Sequence, residues 1–565
     1  MYTRAVPLVV IASGAFITGI VVAAGPDSPG TQRFLAAWEE GDYASMHAEL
    51  TPAAKAEYSP EAFERAYERA SATATVSSLE VGDEIEAGEA VVAPVRLETR
   101  AFGTIDQNAE LPLSDDGIDW APHLAFPGLE PDERLERRTR APQRAAILAV
   151  DRSPLAKGPA AARTLAGSTL AVVGEVGTPT PEQAKELTAT GFPVGTPTGI
   201  SGLELAFNDR LAGVPGGQLI ALGEAEEGEP SGERILAESA PVAGEAVRTT
   251  IDPALQEVTV AALGSLYGGA AVLDARNGEV RALAGLGYSA PQPPGSTFKV
   301  ITASGALEAG IVKTSDSFPV EVSNTDIGRE IANSHDSPCG GTFTQTFADS
   351  CNTVFAPLGA ELGAEKLVET AELFGFNSPP SLFGKQAMAA LDPPSSTIPE
   401  TLASSVEVGE SAIGQGQVLA TPLQMASVAQ TIADGGVRSP TSLVRTEGLG
   451  PDLEPVEVTT PQTAKTMTDL MVEVVNNGTG VAAALPEAQV AGKTGTAELG
   501  PKALEPGQEL APGEEPEQEL DAWFTAFAPA QSPKLAVAVM IVNSTGDGGE
   551  VAAPIAAQIL QAGLG

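Results

Sequence analysis

A serine and a lysine three residues apart could together form a nucleophile and its base. Ser296 and Lys299 lie in PPGSTFKVITASGALEAG, where Pro293, Pro294 and Gly295 precede a predicted amphipathic helix. Residues at i and i+3 share one helix face, with Cβ atoms about 5–6 Å apart, and the helix N-terminus adds a positive field. The pair can therefore activate a hydroxyl without histidine. Taken alone, the pattern also fits a serine near a helix start followed by a solvated lysine.

A second candidate element, DSCNTVF, supplies Ser350 and Asn352 on either side of Cys351. A serine and an asparagine at this spacing fit a helix N-cap equally well, because both residue types favour that position. This element therefore indicates a catalytic site only in combination with the other candidate elements.

The third candidate element is KTGT, Lys493 to Thr496, inside a segment with the alternation of a strand. Gly495 would let a ligand approach the backbone closely. The Lys493 ammonium and the hydroxyls of Thr494 and Thr496 predict a carboxylate-binding site. Basic residues are scarce, with 32 Lys and Arg against 74 Asp and Glu, so a lysine inside a motif is informative.

Composition argues against several other functions. The formal net charge of −42 and a pI near 4.3 oppose nucleic-acid binding, which needs a basic surface. The three histidines, His47, His123 and His335, are widely separated, and no G-x-S-x-G, H-E-x-x-H or Cys/His cluster accompanies them. We therefore expect that any catalysis uses neither a histidine triad nor a metal.

The largest predicted unit, residues 245–565, must position these elements. GGAAVLDARNGEVRALAG predicts a hairpin with Asn277 and Gly278 in a type I′ turn. AQVAGKTGTAE, AWFTAFAPA and KLAVAVMIVN predict three strands, EVAAPIAAQILQAG predicts a closing helix, and the region between the strand groups is largely helical. This order indicates one antiparallel sheet covered by helices on both faces. The acidic stretch between Glu498 and Asp521 predicts a mobile loop between two strands.

Three shorter segments precede this unit. Residues 1–25 contain the uncharged apolar run LVVIASGAFITGIVVAA after Arg4, which predicts a transmembrane anchor with the body of the protein outside the cytoplasmic membrane. A signal peptide cleaved near Ala24 is the alternative. Residues 26–140 predict a small α+β spacer domain, and residues 141–244, rich in Gly and Pro, predict a pedestal domain.

The two cysteines of the chain, Cys339 and Cys351, are close in sequence and flank SPCGGTFTQTFADSC. In an oxidising compartment such a pair predicts a disulfide, next to Ser350 and Asn352. Two separate buried thiols are the alternative.

Taken together, S-x-x-K, S-x-N and K-T-G, in helix, loop and strand contexts, form the motif set of penicillin-binding proteins and class A β-lactamases. The sequence resembles the class B penicillin-binding proteins over nearly its whole length. TTIDPALQE, AAVLDARNGEVRALAG and IGQGQVLATPLQMA are similar to stretches that flank the catalytic elements in that family. DWAPHLAFPGL resembles the end of the N-terminal domain of methicillin-resistance penicillin-binding proteins, which has a nuclear-transport-factor-like fold. The pedestal departs from the family, because Arg144-Ala145-Ala146-Ile147 stands where an Arg-Gly pair usually precedes the isoleucine.

The resemblance implies a peptidoglycan D,D-transpeptidase with a serine acyl-enzyme. Ser296 would attack the penultimate D-Ala carbonyl of a stem peptide, and Lys299 would accept the hydroxyl proton. The backbone N–H groups of Ser296 and Thr496 would form the oxyanion hole. Ser350 would relay a proton to the leaving amine, and Asn352 would hold the substrate amide.

The same resemblance implies the ligands. Lys493, Thr494, Gly495 and Thr496 would bind the substrate, and β-lactams would acylate Ser296 because they mimic the D-Ala-D-Ala ending. No metal or cofactor is implied. By analogy with the family, the partners would be peptidoglycan stem peptides, the cytoplasmic membrane and a SEDS-type glycosyltransferase.

Other enzymes with related motifs fit less well. A hydrolytic β-lactamase needs a carboxylate for deacylation, and no E-x-x-L-N stretch occurs between Asn352 and Lys493. A bifunctional enzyme with a glycosyltransferase module would need more N-terminal sequence. A β-lactam sensor would be expected to lose Ser350 or the neighbouring asparagine. A carboxypeptidase, which uses water as the acceptor, remains an alternative.

Overall fold

The computed structural model describes residues 29–223, 232–501 and 518–565. The predicted anchor, residues 1–25, lies outside these ranges. Within them, no helix combines the length and the apolar character needed to cross a membrane. The described chain is a multidomain α+β protein with three hydrophobic clusters, one N-terminal and one on each face of a C-terminal sheet.

The N-terminal region packs four helices against an antiparallel sheet. Its elements are α1 (Pro29–Glu40), α2 (Tyr43–Ala48), α3 (Pro52–Glu57), α4 (Pro60–Ala74), β1 (Val76–Val81), β2 (Ile85–Ala87), β3 (Ala90–Thr99), β4 (Gly103–Ser114), β5 (Gly117–Ile118) and β6 (Glu133–Arg140). The strand order is β1-β3-β4-β5, with β2 also paired to β3. Helix α4 begins after Ser59, whose hydroxyl caps the N–H of Ala62. It buries Phe63 and Tyr67 against Trp120, whose indole N–H donates to the Tyr67 hydroxyl at 3.2 Å.

The middle region consists of short strands and helices. Its elements are β7 (Ile147–Leu148), β8 (Pro154–Lys157), β9 (Thr164–Leu165), α5 (Leu170–Val173), β10 (Val176–Gly177), α6 (Pro181–Ala189), β11 (Thr198–Gly199), α7 (Gly202–Ala206), α8 (Asn208–Ala212), β12 (Gly216–Gly223), β13 (Glu233–Ser239) and β14 (Val247–Arg248). Strands β13, β12 and β6 form one sheet, and Leu219 of β12 is buried in the N-terminal hydrophobic cluster. The expected boundary at residue 140 therefore separates strands that pair with each other. The order of the elements along the chain does not predict that β12 and β13 pair with β6 of the N-terminal region.

A buried ionic cluster joins several parts of the middle region. The Glu204 carboxylate lies 2.7 Å from Nη2 of Arg144 and 2.6 Å from Nε of Arg163, and all three side chains are at most 5% exposed. Arg163 also donates to the carbonyl of Ala145 at 2.7 Å. The arginine of the Arg-Ala-Ala-Ile stretch is thus held by an acidic partner about 60 residues further along the chain.

The C-terminal region contains the largest sheet and most of the helices. Its elements are α9 (Pro253–Leu263), β15 (Gly268–Asp274), β16 (Val280–Gly285), α10 (Lys299–Glu308), β17 (Ser317–Glu321), β18 (Ser323–Asn324), β19 (Ile331–Ala332), β20 (Cys339–Thr342), α11 (Phe343–Ala348), α12 (Asn352–Leu362), α13 (Ala364–Leu373), α14 (Lys385–Leu391), α15 (Ser405–Ala412), α16 (Pro422–Ala433), β21 (Val437–Arg438), β22 (Val456–Glu457), α17 (Pro461–Asn476), β23 (Ala491–Pro501), β24 (Gln518–Ala528), β25 (Leu535–Ser544) and α18 (Ala553–Leu564). The main sheet is antiparallel throughout, in the order β16-β15-β25-β24-β23.

Helices cover both faces of this sheet. Alternate residues of β24 point to opposite sides: Trp523 joins the cluster with α10 and α16, and Phe524 joins the cluster with α9 and α18. The prediction of an amphipathic α10 is wrong, because every side chain from Lys299 to Ala306 is buried. A helix that is buried all round lies in the core of a large domain. The sheet leaves β23 at its edge, beside α17 and the residues just before α10.

Two loop predictions need correction. The β15–β16 hairpin has a longer connection than a two-residue type I′ turn: Gly278 has φ +68°, but Asn277 does not adopt a positive φ, and Gly278 N–H donates to Asp274 C=O at 3.1 Å. The acidic stretch is shorter than expected, because β23 continues to Pro501 and β24 begins at Gln518. The residues between these strands lie outside the described ranges.

Candidate active site

A short 3₁₀ turn, Gly295–Phe298, carries Ser296 to the start of α10. Gly295 has φ +52°, and a Cβ there would lie 2.6 Å from the carbonyl oxygen of Thr496 in β23. On its other side, the N–H of Gly295 donates to the carbonyl of Gly414 at 3.0 Å. The turn is therefore fixed between the edge strand and the loop after α15. Ser296 is half-buried, unlike its buried neighbours in the turn.

Lys299 is the first residue of α10, and its side chain is fully buried. Its Nζ donates to the Ser350 carbonyl and to Asn352 Oδ1, both at 2.7 Å, and to Ser350 Oγ at 3.2 Å. The ammonium also lies 5.5 Å from the centroid of the Phe355 ring. Burial, and secondarily the like charge of Lys493, hold the pKa of Lys299 well below its ordinary value.

The loop between α11 and α12 presents the second element. Ser350 has φ +63°, and α12 begins only at Asn352, so the N-cap alternative for Ser350 is wrong. Cys351 is bonded through sulfur to Cys339 of β20, which ties this loop to the neighbouring ribbon. Asn352 donates from Nδ2 to the carbonyl of Ala332 at 3.0 Å, while its Oδ1 accepts from the buried lysine.

The third element lies on edge strand β23. Lys493 is fully buried and donates to Ser350 Oγ at 2.9 Å and to the carbonyl of Thr494 at 3.0 Å. Its Nζ lies 5.8 Å from the Phe347 ring centroid. Burial lowers the pKa of Lys493 to about 7. The structure thus brings Lys299, Ser350 and Lys493 together, and Ser350 of the second element links the first element to the third.

The surroundings of Gly495 and Thr496 differ in part from the predicted carboxylate-binding site. A Cβ at Gly495 would lie 2.6 Å from the carbonyl oxygen of Pro294 and 3.0 Å from the N–H nitrogen of Thr297, so the protein's own turn occupies the space expected for a ligand. The Thr496 hydroxyl accepts from the N–H of Gly548 at 3.3 Å. Its carbonyl faces Gly295, which places this part of β23 directly beside the serine-bearing turn.

Two contributors to this site lie outside the three motifs. Gly414 supplies the carbonyl that holds the serine turn, and Thr479 contacts the Thr494 hydroxyl, with 2.6 Å between the two Oγ1 atoms. The IGQGQ segment that contains Gly414 is similar to a family stretch but has no catalytic pattern of its own. The Asn-Asn-Gly-Thr-Gly stretch around Thr479 predicts only a turn. Among the residues that the structure describes, no group of three or more His, Cys, Asp and Glu side chains could hold a metal ion.

This geometry agrees with sequence comparisons. The penicillin binding protein transpeptidase domain matches residues 268–561, and the NTF2-like N-terminal transpeptidase domain matches residues 28–133. The first match covers the sheet, the serine turn and all three motifs. The chain belongs to the penicillin-binding protein transpeptidase family.

Named relatives and solved structures lie in the same family. The chain is 38% identical over 295 residues to the peptidoglycan D,D-transpeptidase PbpA of Mycolicibacterium smegmatis, covering 48% of this chain and 55% of that protein. It is 32% identical over 294 residues to stage V sporulation protein D of Bacillus subtilis, covering 48% and 42%. These matches thus span about half the length of the curated relatives.

Similarity to solved structures extends further along the chain. Penicillin-binding protein A from Mycobacterium tuberculosis, in a ceftriaxone acyl-enzyme complex, has a TM-score of 0.58 and 26% identity over 75% of this chain and 99% of that chain. The imipenem acyl-enzyme complex of the same protein has a TM-score of 0.57. A D,D-transpeptidase domain from Eggerthella lenta also has a TM-score of 0.57 and 26% identity, covering 75% and 98%.

Proposed function

We propose that this chain is a serine D,D-transpeptidase that cross-links peptidoglycan stem peptides through an acyl-enzyme on Ser296. The observation that carries the proposal is the row of hydrogen bonds from Lys299 through Ser350 to Lys493, beside the serine turn. The names of the PbpA relatives and the acyl-enzyme complexes of the structural relatives support the same function.

The surroundings of Lys299 suit a general base. A protonated ammonium has three N–H donors, and three acceptors surround this one. A neutral amine has two, so it can keep the 2.7 Å bonds to the Ser350 carbonyl and Asn352 and release the longer contact. Its lone pair is then available for the Ser296 proton. Because burial and the like charge of Lys493 hold the pKa of Lys299 well below its ordinary value, this neutral form is more accessible than in an exposed lysine.

The acylation step can be written with these groups. Ser296 Oγ attacks the penultimate D-Ala carbonyl as Lys299 takes its proton, and the N–H groups of Ser296 and Thr496 bind the oxyanion. As the C–N bond breaks, Ser350 gives its hydroxyl proton to the departing amine and takes from Lys299 the proton that came from Ser296. The terminal D-Ala leaves, with its carboxylate on Lys493. An amine of a second stem peptide then attacks the ester and gives one proton to Lys299. The bond from Ser296 Oγ to the acyl carbon breaks, and Lys299 returns that proton to Ser296 Oγ.

Exposure to a penicillin, followed by intact-mass spectrometry and peptide mapping, tests the proposal. The wild type should gain one penicillin mass at Ser296, and Ser296→Ala should gain none. Ser304→Ala is the matched control, because Ser304 lies on α10, which directly follows the serine turn, and its hydroxyl bonds the Val300 carbonyl. An adduct on another residue, or one that hydrolyses within seconds, would contradict the proposal.

The acceptor is tested separately with a lipid II polymer. Mass analysis of the products should find cross-linked stem-peptide dimers. Loss of D-Ala without dimers would instead identify a carboxypeptidase, in which water attacks the ester.

The proposal extends to the location of the enzyme. We infer from the apolar run in residues 1–25 an uncleaved membrane anchor, with residues 26–140 as a spacer, 141–244 as a pedestal and 245–565 as an extracytoplasmic catalytic domain. A SEDS-type glycosyltransferase is the proposed membrane partner, by analogy with the family. Full-length protein should stay with membranes after a high-salt wash, and a mature N-terminus near Gly25 would contradict the anchor.

A further inference from the structure

Thr479, just after α17, touches two catalytic elements at once. Its Oγ1 lies 2.6 Å from Thr494 Oγ1 on β23 and 3.3 Å from the carbonyl oxygen of Ala348, at the end of α11. Its backbone N–H donates to the same Ala348 carbonyl at 3.1 Å. Gly478 packs closely there, because a Cβ on it would lie 2.3 Å from the Ala348 oxygen. Ala348 precedes Ser350 by two residues.

The number of protons on these hydroxyls limits what each can do. A threonine hydroxyl has one O–H donor and two acceptor lone pairs. A carbonyl can only accept, so the contact with Ala348 requires Thr479 to donate to it. The Thr494 hydroxyl must then donate to Thr479 across the 2.6 Å contact. In this arrangement, Thr494 has no proton left for a ligand.

Binding of a carboxylate reverses the direction of this chain. A carboxylate is acceptor-only, so Thr494 must turn its proton toward the carboxylate and can then only accept from Thr479. The Thr479 hydroxyl proton in turn rotates away from the Ala348 carbonyl. That carbonyl then accepts only from the backbone N–H of Thr479. No proton is transferred; two hydroxyl groups rotate.

We propose that Thr479 is a positioning residue that couples carboxylate recognition by Thr494 to the loop that carries Ser350. This inference rests on the proposed function, because it uses the substrate carboxylate. When the carboxylate binds, the rotation removes the hydrogen bond from the Thr479 hydroxyl to the Ala348 carbonyl. Carboxylate binding thereby changes a contact of the loop that carries Ser350. Thr479 itself is exposed, so its hydroxyl can be removed with little effect on core packing.

The experiment compares acylation by penicillin G with acylation by its methyl ester, which lacks the carboxylate charge. In Thr479→Val, the second-order rate constant for penicillin G should fall about tenfold, because Thr494 loses the hydroxyl donor that holds its own proton toward the carboxylate, and that for the ester should change less than twofold. Thr479→Ser, which keeps the hydroxyl, should restore the acid-to-ester ratio. Thr468→Val is the matched control, because the Thr468 hydroxyl only bonds the Ala464 carbonyl within α17.

Each outcome decides the inference. A fall in the acid-to-ester ratio that serine restores supports it. Equal losses for acid and ester, or no loss in Thr479→Val, overturn it and leave the proposed function intact. Absence of any Ser296 adduct in the wild type overturns both.

Discussion

Lys299 and Lys493 direct their ammonium groups to the same oxygen atom, Ser350 Oγ, at 3.2 and 2.9 Å. Both side chains are fully buried, so neither charge is well solvated. Two like charges this close disfavour each other, and the pKa of Lys299 is lowered by burial and by Lys493. The two lysines therefore titrate as a pair, and in the proposed mechanism the loss of one proton from the pair would create the base while leaving one cation for the carboxylate.

This relationship predicts a bell-shaped pH profile for acylation by a penicillin. The rate should rise with pH as Lys299 loses its proton and becomes a base. It should fall as pH increases through about 7, because Lys493 then loses the charge that binds the carboxylate. The measurement is the second-order acylation rate constant between pH 5 and 10. A flat profile to pH 9 would contradict the pairing.

The variant Lys493→Met separates the rising limb of the pH profile, assigned to Lys299, from the falling limb, assigned to Lys493. Without the like charge of Lys493, the pKa of Lys299 should rise, so the acid limb should move to higher pH. The limb near pH 7 should disappear, and the maximal rate should fall at least tenfold because the carboxylate loses its cation. An acid limb that stays in place or moves to lower pH would show that the charge of Lys493 does not lower the pKa of Lys299.

Gly495→Ala should move the serine turn without touching a catalytic side chain. The new Cβ would lie 2.6 Å from the Pro294 carbonyl oxygen, a backbone atom that cannot swing aside as a side chain would. We expect a loss of about 1–3 kcal/mol in the free energy of unfolding and a larger than tenfold loss in acylation rate. Gly450→Ala is the control, because its Cβ would meet nothing closer than 3.8 Å. Equal acylation rates in the two variants would argue against this steric role.

The disulfide predicts a loss of stability when both cysteines are replaced. In the chain-entropy account, closing the short loop between Cys339 and Cys351 stabilises the folded state by about 3 kcal/mol. Cys339→Ala/Cys351→Ala should therefore unfold at lower urea concentration, and its acylation should slow because Ser350 adjoins the bond. Thiol titration of unfolded, unreduced wild type should find no free thiol. Two free thiols would contradict the bond in the native protein.

The motif elements could be located from sequence because each is a short run whose residue types have few other uses in combination. The spacing from Ser296 to Lys299, and the strand alternation around Lys493, are properties of neighbouring residues. Which residues hold those elements in place is decided by long-range packing. The 2.6 Å contact of Thr479 with Thr494, and the Gly414 carbonyl on the serine turn, follow from how α15 and α17 pack, and no local pattern encodes them.

The fold shows the same division between local and long-range information. The strands and the closing helix of the C-terminal sheet follow from periodicity in short windows. The pairing of β6 with β12 was missed, because about 75 residues of short elements separate the two strands. The all-round burial of α10 was also missed, since Thr302 and Ser304 look like an exposed polar face but bond to the Ala412 and Val300 carbonyls.

The buried cluster around Glu204 gives a stability prediction away from the active site. Glu204→Gln would leave Arg144 and Arg163 buried without a countercharge, and breaking a buried ion pair in this way typically costs about 3–5 kcal/mol. We expect a matching fall in the free energy of unfolding, measured by urea titration at pH 7. Asp469→Asn is the control, because it breaks an ion pair with Lys465 in which both side chains are more than 60% exposed, and it should change stability by less than about 0.5–1 kcal/mol.

A triple replacement distinguishes charge from packing in this cluster. Glu204→Met combined with Arg144→Met and Arg163→Met removes all three charges while keeping comparable volume, and such replacements are often neutral or stabilising. The triple variant should therefore be more stable than Glu204→Gln, although it lacks every ion pair of the wild type. If it unfolds as readily as Glu204→Gln, uncompensated buried charge is not the cause of the loss, and hydrogen bonds such as the one from Arg163 to the Ala145 carbonyl are the dominant contribution.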